Sequence, residues 1–480
     1  MVSSCPKEYE RCVDGSFLPE YENGLEELNV WKEGTESRGT PVSAPKETQS
    51  GGRQEQTLAW FPEKGKVRIL GLCFQASALF RKRSKRQMEG MADMGKGHPN
   101  GIYDAIVVGA GIQGTFAAQQ LSKRGQKTLL LDQFLLPHTR GSSHGLSRII
   151  RSAYPQDYYT AMMGESIRLW KELEAETGAQ LYRQTPLWIL GRHESPEFQS
   201  YRRTMERHHV PSEELGPEAF AHRFPGFHLP SDEMAVSDRS AGVLFPDKAL
   251  RVVQDQFRHN GGTIRDGEKV LQIIPGSVVR VVTSKGEYHA KRIVVAAGPW
   301  TGPLLEPLGL RLPLQPLRIS VCYWKENQPG VLRELPSFIS LHGAKHDIYG
   351  LPAGDYPGLV KVCYHYGNFV DPETPDRLTQ SSPPVPDIQI LKDFVRKYLP
   401  GLDPEPAVQE RCLYTNTPDE DFVLDWHPRF KNIVIGAGFS GHGFKFGPVI
   451  GKILCQLSLG EEPSHDLTPF RISRFPQAAL

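Results

Sequence analysis

The residue pattern with the clearest chemistry begins at Tyr103: Tyr-Asp-Ala-Ile-Val-Val, then Gly109-Ala-Gly111-Ile-Gln-Gly114, an amphipathic stretch to Arg124, and Lys-Thr-Leu-Leu-Leu-Asp132. Each glycine has a separate task. Gly109 permits a tight turn, Gly111 lets the backbone approach a pyrophosphate, and Gly114 lets helix and strand pack closely. The helix that follows offers free N–H groups and the positive end of its dipole to phosphate. Asp132, closing the second strand, stands where a carboxylate accepts hydrogen bonds from a ribose hydroxyl. Strand, glycines, helix, strand and acid in register define a dinucleotide site, and the pattern alone fits NAD or FAD.

The elements around this site read as more than a simple nicotinamide dehydrogenase. Asp157 to Thr177 has helical periodicity, with Glu172, Glu174 and Glu176 available for the wet face. Leu250 to Arg258 is a second helix candidate, ended by Gly261-Gly262. Thr263 to Arg265, Lys269 to Ile274, Val278 to Thr283 and Glu287 to Ala290 are short apolar runs between turn residues, which suggests a β-meander. Arg292-Ile-Val-Val-Ala-Ala-Gly298 then reads as a buried strand returning to the nucleotide sheet, with Gly298 at its ligand end. Segments 180–245 and 310–410 are strand-rich and interrupted by proline, as in a second, antiparallel domain.

Further along, Gly141-Ser-Ser-His144-Gly, Ser147-Arg148-Ile-Ile-Arg151, Lys361-Val-Cys-Tyr-His365, Cys412-Leu-Tyr-Thr415 and Gly438-Phe-Ser-Gly-His442-Gly-Phe-Lys445 follow one another. In these motifs the chain resembles the monomeric sarcosine oxidase family from about Asp104 to Pro476. The resemblance implies an α/β plus α+β architecture like that of p-hydroxybenzoate hydroxylase. A Rossmann-type FAD-binding domain is interleaved with a substrate domain on a mixed, largely antiparallel sheet. On this expectation residues 101–180, 245–310 and 410–480 bind FAD, and residues 181–244 and 311–409 form the substrate domain. The implied reaction is oxidation of a secondary-amine amino acid, L-pipecolate or sarcosine with L-proline also possible. Hydride passes to FAD, and O2 is reduced to hydrogen peroxide.

The resemblance also assigns residues. Cys412 matches the cysteine joined to the flavin 8α-methyl group, a position suited to a thiolate nucleophile. Arg151 and Lys445 match the substrate-carboxylate cations, Arg being suited to a planar two-point grip. Arg148 and Lys361 match the basic residues flanking the flavin, and Lys361 is expected to matter more for reoxidation than for amine oxidation. A lysine in a strand-like run is, alternatively, a guard on a sheet edge. His144 and His365 match histidines beside the flavin, and Tyr349 matches a pocket tyrosine. Val270 and Gly298 are expected against the cofactor, as are Gly438, Gly441 and Gly443, whose loop lets backbone N–H groups approach the flavin ring. Competing readings are a dehydrogenase passing electrons to another carrier, a flavin protein without turnover, and an oxidase of other N-methylated or glycated amino acids.

The composition bounds the remaining classes. The chain has 480 residues, with 56 Lys plus Arg against 55 Asp plus Glu, so no basic excess favours nucleic acid or anionic lipid. The weakly apolar run Ile69 to Phe80 is too short to cross a bilayer. Seven cysteines, at 5, 12, 73, 322, 363, 412 and 455, show neither metal spacing nor a disulfide framework. Residues 1–55 carry 11 acidic against 6 basic residues, and residues 56–100 carry 3 against 9, including the run Arg81 to Arg86. Residues 1–100 are expected to be a disordered extension, and the functional polypeptide to begin at Met91. The end, Ala478-Ala479-Leu480, lacks the basic middle residue of a Ser-Lys-Leu address to the peroxisome and its import receptor. A peroxisomal monomer is expected, with the cytoplasm as the alternative compartment.

Overall fold

The computed structural model describes residues 101–480 apart from 331–334, 353, 355, 379–382, 477 and 479–480. The expectations for residues 1–100, and for the last two residues of the C-terminal tripeptide, lie outside the described residues.

The strand Tyr103–Val108 is apolar on both faces, and its alternate residues enter different cores. Ala105 and Val107 face one side, with Phe116, Trp170, Val253 and Ile450. Ile106 and Val108 face the other, with Leu131, Ile293, Val295 and Leu305. A strand buried on both faces needs parallel neighbours reached by crossovers, and Tyr103–Val108 pairs in parallel with Thr128–Leu131 and with Glu287–Val295. These strands belong to an eight-stranded sheet that also contains Val270–Ile274, Val279–Thr283, Val423–Trp426 and Ile433–Ala437.

Two features of this sheet differ from the sequence reading. Thr263–Arg265 is not part of the meander; it pairs in parallel with Thr128–Leu131 at the sheet edge. The runs read as ending at Ala290 and restarting at Arg292 are one strand, Glu287–Val295. Lys291 is no chain breaker, and the strand changes partners instead. Its first half pairs antiparallel with Val279–Thr283, and its second half runs parallel to Tyr103–Val108 and Ile433–Ala437. The helix read from Leu250 starts earlier, at Pro246, a residue whose fixed φ suits a first turn.

A nine-stranded sheet, largely antiparallel, is built around Gln315–Glu326. The alternating residues Leu317, Ile319, Val321 and Tyr323 face Cys412 and Tyr414. Cys322 and Trp324 face the helix Asp387–Tyr398 through Phe394 and Tyr398. Leu402–Asn416 pairs along nearly the whole of Gln315–Glu326, so the chain's last passage into the eight-stranded sheet follows Asn416. A third, three-stranded sheet joins Arg148–Ile150, Gly242–Leu244 and Tyr182–Gln184. Among the described residues, no helix is long and apolar enough to cross a membrane.

Candidate active site

The glycine turn ends Tyr103–Val108. Gly109 has φ 103°, and a Cβ there would lie 2.3 Å from the carbonyl oxygen of Ala296. Only glycine accepts both constraints. Gly114, in the first turn of the helix Ile112–Lys123, packs against the Gly109 carbonyl. Asp132 braces the turn: one carboxylate oxygen accepts from Ala110 N at 2.8 Å and the other from Phe134 N at 2.9 Å. A carboxylate has about four lone-pair sites, so it retains acceptor capacity for a ribose hydroxyl.

The turn lies at one end of a cavity of about 960 Å3. Gly109, Gly111, Asp132, His144, Arg148, Val270, Gly298, Cys412, Gly438, Gly441 and Gly443 all line it. Gly114 does not, since its place is behind the turn. Among the described residues, His144 Nε2, Gln113 Oε1, Trp300 Nε1 and Thr415 Oγ1 are buried polar atoms without a hydrogen-bond partner, and all four side chains belong to this wall. Buried polar groups are normally satisfied. A dinucleotide, which accepts and donates along its length, fits a wall that carries these polar side chains beside the glycine turn. Burial, with Arg148 and His138, lowers His144 to about 4, so it is neutral near pH 7.

A smaller cavity of about 80 Å3 adjoins it, and Arg148, Tyr414, Gly441 and Phe444 line both. Arg151, Tyr349, Lys361, His365 and Lys445 line the smaller one, so residues up to 294 positions apart in sequence converge there. Arg148 starts the strand Arg148–Ile150 and donates to the carbonyl oxygens of Ser147 and His144 at 2.9 and 2.7 Å. Its guanidinium also lies 3.7 Å from Cys412 Sγ. Lys361 is only 3% exposed. Its strand, Leu359–Tyr364, is paired on both sides, by Gln315–Glu326 and by Ile348–Pro352, which removes the edge-guard reading. Its Nζ reaches Ser147 Oγ at 3.4 Å.

Arg151 donates to the carbonyl of Ala153 at 2.5 Å and to the Tyr201 hydroxyl at 3.2 Å. Lys445 donates to the Tyr154 hydroxyl and to the carbonyl of His442, each at 2.8 Å. Burial, with Arg151 and Arg148 nearby, pushes Lys445 well below the usual lysine range. An anion placed between these cations would reverse that shift. Burial, with Lys445 and Arg151, lowers His365 to about 3, leaving it neutral with Nδ1 3.3 Å from the Tyr414 hydroxyl. Burial holds Tyr349 well above the usual phenol range, and its hydroxyl lies 3.5 Å from that of Tyr414.

Sequence reasoning missed Tyr154, Tyr201, Asp347, Tyr414 and His442 as parts of this cluster. Tyr414 was within reach: it lies two residues from Cys412 on a strand, hence on the same face. Tyr201 and Asp347 carry no local signal, because only tertiary packing brings them to Arg151. Among the described residues, no group of three or more metal-ligating side chains occurs.

A glycine turn on a parallel sheet, a long cavity fit for a dinucleotide and a cationic pocket beside it define a flavin-type oxidoreductase site. Residues 104–457 match the family model for FAD-dependent oxidoreductases, and the chain belongs to that family. It is 55% identical over 378 residues to peroxisomal sarcosine oxidase of Homo sapiens, covering 78% of this chain and 97% of that protein. It is 35% identical to monomeric sarcosine oxidase of Arthrobacter sp., covering 78% of this chain and 96% of that protein. The structure is also similar to NikD, an unusual amino acid oxidase essential for nikkomycin biosynthesis. That similarity has a TM-score of 0.67 at 25% identity, covering 77% of this chain and 97% of the other.

Proposed function

We propose that the chain oxidises a small amino acid bearing a secondary amine, sarcosine or L-pipecolate with L-proline in the same class, and passes the electrons to O2. The observation that carries this reading is the small cavity opening against the dinucleotide cavity, with Arg151 and Lys445 in its wall. Bound FAD supplies the two-electron acceptor for the amine's hydride. The chain's residues supply recognition. Gly109, Gly111 and the helix behind them hold the pyrophosphate, Asp132 the ribose, and Val270, Gly298, His144 and the Gly438–Gly443 loop the remainder. Arg151 and Lys445 grip the substrate carboxylate, which fixes the amine relative to the wall shared by the two cavities. Arg148 and Lys361 hold positive charge beside that wall, and Lys361 assists oxygen reduction. Neutral His365 and Tyr349 shape the pocket. No general base is required if the amine reacts in its neutral form.

We further propose that FAD is joined to Cys412 through the flavin 8α-methyl group, a bond that would replace one S–H and one C–H bond, with the two electrons and two protons going to O2 as hydrogen peroxide. The sulfur lines the long cavity, 3.7 Å from the Arg148 guanidinium. Residence in the peroxisome as a monomer, and recognition by an import receptor, are proposed from likeness to the relatives. The deciding experiment is the visible spectrum of purified protein during anaerobic addition of sarcosine or L-pipecolate. Bleaching that recovers in air with peroxide release supports the reading. Bleaching without peroxide points to another electron carrier, and a flavin band that neither substrate bleaches removes the proposed substrates.

A further inference from the structure

Tyr154 stands between the two cations of the small cavity and touches both. Its ring face lies 4.0 Å from the guanidinium carbon of Arg151, and its hydroxyl 2.8 Å from Lys445 Nζ. Two buried cations in one pocket repel each other. A π face favours the first and a phenol oxygen the second.

The hydrogens of this group have one consistent arrangement. His442 Nε2 lies 3.2 Å from the carbonyl oxygen of Glu420, which can only accept, so Nε2 carries the proton. Burial and Lys445 keep His442 neutral. Nδ1 is then a bare acceptor, and the Tyr154 hydroxyl, 3.3 Å away, donates to it. The remaining lone pairs of the Tyr154 oxygen face Lys445. The Glu420 carbonyl is itself fixed. Its residue has φ 61°, and the next residue, Asp421, accepts hydrogen bonds from the Tyr158 and Tyr159 hydroxyls at 2.9 and 2.8 Å.

We propose that Tyr154, its hydroxyl oriented by His442, is a positioning residue that sets the spacing of Arg151 and Lys445 for the substrate carboxylate. This rests on the reading of those two cations given above. Turned the other way, the hydroxyl would present its hydrogen to Lys445. Removed, it would leave Lys445 short of an acceptor. Either change falls on binding rather than on the electron-transfer step.

The test is steady-state kinetics with sarcosine, together with flavin content and visible spectrum, for the FAD-loaded wild type, Tyr154→Phe, Lys445→Met, their double variant, His442→Asn and His442→Leu. Tyr154→Phe should raise KM on the order of tenfold, as loss of a hydrogen bond to a charged group does, with flavin content and kcat little changed. In the Lys445→Met background the same change should alter KM by less than about twofold, because the partner is gone. His442→Asn retains an acceptor near the place of Nδ1 and should stay near wild type, whereas His442→Leu should follow Tyr154→Phe. An equal KM effect in both backgrounds, an unchanged KM in Tyr154→Phe, or His442→Asn behaving as His442→Leu would overturn the proposal. A wild-type protein that retains flavin but turns over no secondary-amine amino acid would remove the underlying reading of the cations instead.

Discussion

Lys361 is held in the middle of a sheet with its ammonium directed at Ser147 and the small cavity, a costly position unless the charge is used. Lys361→Met should slow reoxidation of the reduced enzyme by air on the order of a hundredfold, leaving reduction by sarcosine within about threefold. Stopped-flow absorbance separates the two half-reactions, and equal losses in both would refute the assignment. Asp347 is the converse case, an acid in a cationic pocket. Burial and Glu197 raise it to about 7, against the pull of Arg151. Because the folded state holds a proton that the unfolded chain releases, this group's stabilisation is complete below about pH 4 and is lost as pH rises through about 7. Asp347→Asn should therefore match the wild-type stability near pH 4 and exceed it at pH 8, by at most ~4 kcal/mol. Parallel melting curves across that range check it. Neither residue's setting is visible in one dimension. Lys361 in its strand reads as well for an edge as for a buried centre, and Asp347 sits in a connection whose neighbours come from a distant helix.

At the scale of elements, the segment after Ile433–Ala437 is closely constrained. Gly441 has φ 76°, and a Cβ there would lie 2.2 Å from the Tyr414 ring, which lines both cavities. Gly441→Ala should cost about 1–3 kcal/mol in backbone strain alone and displace Tyr414 from His365. A lower Tm with a raised sarcosine KM is the expected result; an unchanged Tm with unchanged sarcosine KM would show that the loop yields. The strand–glycine–helix–strand unit was legible because its signals are local: apolar period, turn residues and a terminal acid within 30 residues. The edge place of Thr263–Arg265 and the change of partner along Glu287–Val295 were not. Three or four apolar residues specify a strand without naming its neighbour.

For the whole molecule, the long cavity is walled by two different sheets. The glycine turn closes a strand of the eight-stranded sheet, and Cys412 belongs to the nine-stranded one. A ligand in the long cavity contacts both, so FAD should raise the Tm and bring both sheets into one melting transition. Two transitions in the flavin-loaded protein would contradict this. The strand carrying Cys412 has a further consequence if the sulfur bears the flavin. The cofactor would then be a splint, gripped at Gly109 and bonded 303 residues later. The sheets could part only by pulling the dinucleotide out of its turn. Cys412→Ser would keep the same contacts yet lose the tether, so in urea its flavin should leave with unfolding, while the wild-type chain unfolds still yellow and can refold without having to find its cofactor again.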